Sequence, residues 1–151
     1  MIKYLCQTFK DTIDINKEDN DGFNLFMRAI YSNATIELLQ CLYNIFKDTI
    51  DINKQNNYND TALTLAVQHN TNLNVIQYIC NGFINTIDIN KQNYAGHNVL
   101  MLIAQNYISI KSIQYLCATL NDQIDINKHD NNGNTALMLA AQYNTNLEVT
   151  K

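Results

Sequence analysis

The five residues Ile-Asp-Ile-Asn-Lys stand at 13–17, 50–54, 87–91 and 124–128, each copy 37 residues after the last. A fixed period in this range marks a repeat array, in which one supersecondary unit is written several times along the chain. Between copies the order of composition also recurs. A polar stretch comes first ("EDNDGFN", "QNNYNDT", "QNYAGHN", "HDNNGNT"), then an apolar-rich one ("LFMRAIYS", "ALTLAVQH", "VLMLIAQN", "ALMLAAQY"). A second apolar stretch follows after a short polar break, "IELLQCLYNIF", "LNVIQYICNGF" and "IKSIQYLCATL" in the three complete copies.

Both apolar stretches have helical spacing. Leu137, Ala140 and Ala141 fall at i, i+3 and i+4 in the first, and Val75, Ile76, Ile79 and Cys80 form a stripe in the second, repeated by Ile113, Leu116 and Cys117. Thr61 and Thr135 precede the first stretch as N-caps. Ile and Asp alternate in the arm between helix pairs, the period-two sign of a short extended segment. The Asn/Gly/Asp stretch after it supplies turn residues that tolerate positive φ. One helix pair cannot bury its own apolar face, and stacking on a neighbour does so. The expected fold is therefore all-α: a solenoid of helix-turn-helix repeats with hairpin-like arms.

"DINKHDNNGNTALMLAAQYNTNLEV" resembles the ankyrin repeat. Asn127, Asp130, Gly133, Thr135, Leu137, Ala140 and Ala141 match that family's pattern. Asn53, Thr61, Leu63 and Ala66 match in the second copy, Asn90, Gly96 and Leu100 in the third, and Asn16, Gly22 and Ala29 in the first. The pattern's Pro and His are replaced, Asn59 takes a turn Gly position, and the period is 37 rather than the family's 33. One extra residue falls between the helices and three after the second helix, where a longer helix or wider loop is expected. The resemblance covers nearly the whole chain as one domain, 1–151. It comprises a partial repeat at 1–12, full repeats at 13–49, 50–86 and 87–123, and a partial repeat at 124–151. Asn supplies about a sixth of the residues, and in this the chain is similar to ankyrin repeats of amoebae and their large DNA viruses. Such an origin would place it in the cytoplasm, host cytoplasm if viral.

The resemblance implies a non-enzymatic protein-binding module that engages a partner through turn tips and the exposed side of the first helix. The copies diverge most at those places. The tips span 18–21, 55–58, 92–95 and 129–132. Candidate partner-binding residues are Asp21, Tyr58, Tyr94 and Asn132 at the tips, and Tyr31, Gln68, His69, Gln105, Asn106, Gln142 and Tyr143 on the helices. The rival reading is an inert spacer, or a fragment of a longer array whose activity lies elsewhere. The expected end stripes, Ile2, Leu5 and Cys6 at the start and the Leu137 face at the end, suggest fraying at 1–12 and 144–151 or end-to-end self-association.

Other classes find little support. The net charge is −4, from 10 basic and 14 acidic residues, and no basic cluster stands out as a nucleic-acid footprint. No apolar run approaches a membrane span. Cys6, Cys80 and Cys117 share one register, with Cys41 two residues off it, and there is no C-x-x-C pair. They read as free, shielded thiols in a reducing compartment. His69, His97 and His129 lack ligand spacing, so no metal or cofactor is expected. The Asp14, Asp51, Asp88 and Asp125 ladder reads as scaffold rather than catalysis, shadowed by Lys17, Lys54, Lys91 and Lys128. No small-molecule substrate is implied.

Overall fold

The computed structural model describes residues 1–69, 72–105 and 110–143. Eight α-helices follow in order: α1 (Ile2–Thr8), α2 (Leu25–Tyr31), α3 (Ile36–Phe46), α4 (Ala62–His69), α5 (Leu73–Gly82), α6 (Val99–Gln105), α7 (Ile110–Leu120) and α8 (Ala136–Tyr143). They stack in two layers. Helices α2, α4, α6 and α8 pack in series, as do α1, α3, α5 and α7, and α2, α4 and α6 each pack on the helix that follows. This is the all-α repeat architecture that the period demands.

The first helices, of 7 or 8 residues, start at matched caps. The Asn24 and Asn98 amide oxygens accept from the N–H of Met27 and Met101 at 2.9 and 3.0 Å. Thr61 accepts from Thr64 at 3.2 Å, and Thr135 from Met138 at 3.3 Å. Thr64 also accepts from the Thr61 N–H at 2.8 Å, the reciprocal arrangement of a capping box. The expected one-sided stripe needs correcting. In α4 every residue from Ala62 to Val67 is buried, and in α6 every residue from Val99 to Ala104. A helix with neighbours on both flanks and one behind it is apolar nearly all round. In α8 the buried residues are Ala136 and Leu139, against α6, while Leu137 is 73% exposed and Ala141 is exposed. Leu137 corresponds to Phe26, Leu63 and Leu100, which the next unit covers; among the described residues no unit follows α8.

The second helices run 10 or 11 residues in α3, α5 and α7 and do carry stripes. Val75, Ile76, Ile79 and Cys80 are all buried. Leu116 is buried and Ile113 partly so, but Cys117 is exposed. The shielding expected of all four thiols therefore holds for Cys6 and Cys80, is partial for Cys41 and fails for Cys117. Cys80 lies against α7, whereas no described second helix follows Cys117. Cys6, expected in an exposed stripe with Ile2 and Leu5, is only 2% exposed. Helix α3 packs over it, and Ile2 and Leu5 remain 37% and 44% exposed.

The arms are not the extended strands their alternation suggests. The Asp carboxylate accepts from the Asn N–H two residues on in all four copies: Asp14 from Asn16 at 3.0 Å, Asp51 from Asn53 at 3.0 Å, Asp88 from Asn90 at 2.9 Å and Asp125 from Asn127 at 3.1 Å. A short polar side chain bonding its own backbone two residues on makes an Asx-turn. In the first three copies the Ile between them is turned into the core, with Ile15, Ile52 and Ile89 at most 3% exposed, whereas Ile126 in the fourth is 54% exposed. The Asn then crosses to the next unit. Asn16 donates to the Thr49 carbonyl at 2.6 Å and accepts from the Asp51 N–H at 3.0 Å. Asn53 bonds Thr86 and Asp88 at 2.7 Å each, and Asn90 bonds Gln123 and Asp125 at 2.6 and 2.9 Å. The repeated pentapeptide is therefore a joint: Asp shapes the turn, Ile anchors it and Asn ties it forward. The Lys residues do not shadow these Asp groups. Lys54 pairs with Glu18 at 3.0 Å and Lys91 reaches Gln55 at 3.4 Å, one unit back.

Candidate partner-binding surface

Each tip is a turn built around one side-chain oxygen. Asp19 accepts from the N–H groups of Asp21 and Phe23, both at 3.0 Å. Asn56, Asn93 and Asp130 do the same for the residues two and four positions on, at 2.8–3.1 Å. The left-handed corner needs φ near +60 to +80°. Gly22, Gly96 and Gly133 supply it, and Asn59 takes it at φ 59°, as expected of a short polar side chain that can bond locally. Successive tips then bond to one another. The Asn57 N–H donates to the Asp21 carbonyl at 3.0 Å, Tyr94 to Tyr58 at 2.8 Å and Asn131 to Ala95 at 3.4 Å. The frame beneath the divergent side chains is thus fixed by repeated backbone bonds, the arrangement that lets loops carry binding groups.

Between the first and second tips lies a cleft of about 240 Å³. It unites four of the sequence candidates, Asp21, Tyr31, Tyr58 and His69, drawn from two units. The Tyr31 ring packs against His69, tilted by 58° with ring centres 4.5 Å apart, and Tyr58 is 56% exposed. Four further lining residues, Phe23, Arg28, Asp60 and Leu65, were not anticipated. Arg28, the only arginine in the chain, lies 4.0 Å over the Phe23 ring and is held by Asp19 and, at 3.3 Å, by Asp21. Its presence once in the sequence was the signal that could have marked it. Asp19 is kept below the usual carboxylate range: burial works to raise it, but the Arg28 bond, two backbone N–H groups and the Arg28 charge outweigh that.

Two carboxylates on this side of the molecule have opposite environments. Burial pushes the Asp60 carboxyl up, against hydrogen bonds from Thr64, Asn93 and Gln68 and the nearby His69. Asp130 is also buried, which works to raise it, but N–H groups of Asn134 and Asn132, the Asn134 amide and His97 at 3.4 Å bring it below its ordinary value. Asp60 with Asn93, and His97 with Asp130, join corresponding positions of adjacent units. At the first junction Phe23 occupies the place of Asp60, and the Asn56 amide nitrogen is buried without a partner.

The remaining candidates lie outside the cleft. Tyr94 is 79% exposed, Asn132 and Gln142 are exposed, and Gln68, Gln105 and Tyr143 are half-buried, Tyr143 packing against the core. Asn106 lies outside the described residues. Among the described residues no group of three or more His, Cys, Asp or Glu is placed to hold a metal ion, and no helix is long and apolar enough to cross a membrane.

A family model described as ankyrin repeats (3 copies) matches residues 1–93 and 83–151. No curated protein matches the chain. Those matches span the whole chain, and the stacked helix pairs agree with them: the chain belongs to the ankyrin-repeat family.

Proposed function

We propose that this ankyrin array is a non-enzymatic module that binds a partner protein through its tips and the adjoining surface of its first helices. Ankyrin repeats are in general protein–protein interaction modules, and the family is typically non-enzymatic. The observation that carries the reading to this surface is the cleft. Asp21, Tyr31, Tyr58 and His69 come from two units and meet there, on a frame whose tips are bonded in series. Tyr94 continues the exposed aromatic surface along the next tip. Aromatic residues on a rigid support are what protein-binding surfaces enrich. A reducing, intracellular setting belongs to the same proposal, supported by four free thiols.

Capture from lysate of the source cell tests it. The intact chain is compared with a variant carrying Tyr58→Ala, His69→Ala and Tyr94→Ala, with circular dichroism verifying the fold. The same proteins should be captured by the chain and lost by the variant. Capture of nothing, or of a set unchanged by the variant, refutes the assignment and favours a spacer.

A further inference from the structure

The chemistry of the cleft narrows what could enter it. Its volume, about 240 Å³, falls below the roughly 300–1,000 Å³ of sites that enclose drug-sized molecules. It suits one side chain of a larger partner. Its charge excludes an acidic one. The cation present, Arg28, is already held by Asp19 and Asp21 and lies flat on Phe23. An incoming carboxylate or phosphate would meet those two carboxylates beside it. Asp60, by contrast, lines the cleft as a buried carboxylate, 8% exposed, with Thr64, Asn93 and Gln68 as donors, His69 nearby and no salt bridge among the described residues. Burial holds its carboxyl above the ordinary value. The rings of Tyr31 and Tyr58 are 42% and 56% exposed, and aromatic faces attract cations. The chain as a whole carries net charge −4.

We infer that this cleft receives a lysine or arginine side chain of the partner protein, with Asp60 as its anion and Tyr31 and Tyr58 as its walls. The inference rests on the protein-binding reading and supplies its chemistry. The partner is one that presents a basic side chain, and its approach is favoured by the net negative charge of the array. Added salt weakens that approach because the outer part of the cleft is open to solvent.

The test uses the intact chain and three blocked amino acids: Nα-acetyl-lysine methylamide, its uncharged norleucine counterpart and the glutamate counterpart. Binding is followed by NMR shifts of the chain. Lysine should saturate shifts at Asp21, Tyr31, Tyr58 and Asp60, more weakly at higher salt, while norleucine and glutamate do not saturate. Asp60→Asn should weaken lysine binding about ten-fold, the scale of one charged hydrogen bond. Asn is already the residue at the corresponding position 134, so this variant should keep the fold. Tyr58→Ala, an exposed change, gives a second reading that does not depend on Asp60, and should also weaken binding. Shifts that norleucine reproduces, lysine shifts that map elsewhere, or binding unaffected by both variants would overturn the inference. If lysate capture succeeds while the blocked lysine fails here, the module stands and this assignment falls. If capture fails while lysine saturates the cleft, the protein-binding reading falls and the partner with it, and only the cleft's affinity for a basic group stands.

Discussion

Asn53→Ala removes an amide that ties two units together. The side chain donates to the Thr86 carbonyl and accepts from the Asp88 N–H, each at 2.7 Å. The arm is exposed enough for the freed groups to reach water, so the loss is the net worth of two hydrogen bonds. At about 1 kcal/mol each this comes to about 2 kcal/mol. For a chain of this length the midpoint of thermal unfolding should fall by about 4–8 °C. Asn127→Ala is the matched control. Asn127 has the same neighbours in sequence and the same Asx-turn, but its amide makes no bond to another unit among the described residues. Its substitution should shift the midpoint by less than about 2 °C. Thermal unfolding followed by circular dichroism gives the comparison. Hydrogen exchange adds a local readout, since the Asp88 amide should exchange faster in Asn53→Ala alone. Equal losses in the two variants, or an unchanged Asp88 amide, would show that the ladder contributes nothing and that the pentapeptide recurs for some other reason.

Three further outcomes follow from burial and charge. Leu63→Ala, at a 1% exposed position, should cost about 2–5 kcal/mol, while Leu137→Ala at the corresponding 73% exposed position should cost less than about 0.5 kcal/mol, as read by urea unfolding. A thiol reagent at neutral pH should label Cys117 first and leave Cys80 until unfolding, because Cys80 is buried and its thiol is pushed up to about 12; mass spectrometry of the labelled peptides checks the order. Asp60 and Asp130 should respond oppositely to pH. Asp60 has a raised folded value, so its contribution is fully present below the ordinary 3.8 and is lost as pH rises through the raised value; Asp60→Asn should hold or raise the melting point at pH 7. Asp130 has a lowered value, so its contribution is present above 3.8 and is lost as pH falls through the depressed value. Asp130→Asn should lower the melting point at pH 7 and matter less near pH 3.

Much of the fold was legible because the repeat supplies its own comparison. The 37-residue interval located the helix pairs among the described residues, Thr61 and Thr135 announced their caps, and Asn59 in a glycine position announced its positive φ. What failed were inferences drawn from one unit as though it stood alone. Helical spacing placed Leu137 with Ala140 and Ala141 on a buried face, but in a stack the fate of Leu137 depends on the next unit. Cys117 failed for the same reason. The alternation in "IDIN" suggested a strand because period two ignores what a carboxylate does to its own backbone. At the candidate surface, divergence between copies picked out eleven candidates, of which Asp21, Tyr31, Tyr58 and His69 line one cleft. It missed Asp60 and Phe23, which lie at one register and reach the cleft from below the tips. It passed over Arg28, whose role comes from Asp19 and Phe23 folding under it.

The joint made by the arm asparagine is indifferent to which unit it joins. Its donor finds a carbonyl 33 residues ahead and its acceptor an N–H 35 residues ahead, at all three junctions. Excise residues 50–86, and Asn16 keeps Thr49 at the first offset while Asp88 arrives at the second, the same residue type as the Asp51 it lost. Duplicate the same segment, and each copy again meets its match. Whole units are thus interchangeable parts: recombination within the gene can lengthen or shorten the array by multiples of 37 without orphaning a backbone group in the arm. Lineages can alter the number of tips, and so the reach of the surface, independently of point changes to what each tip displays.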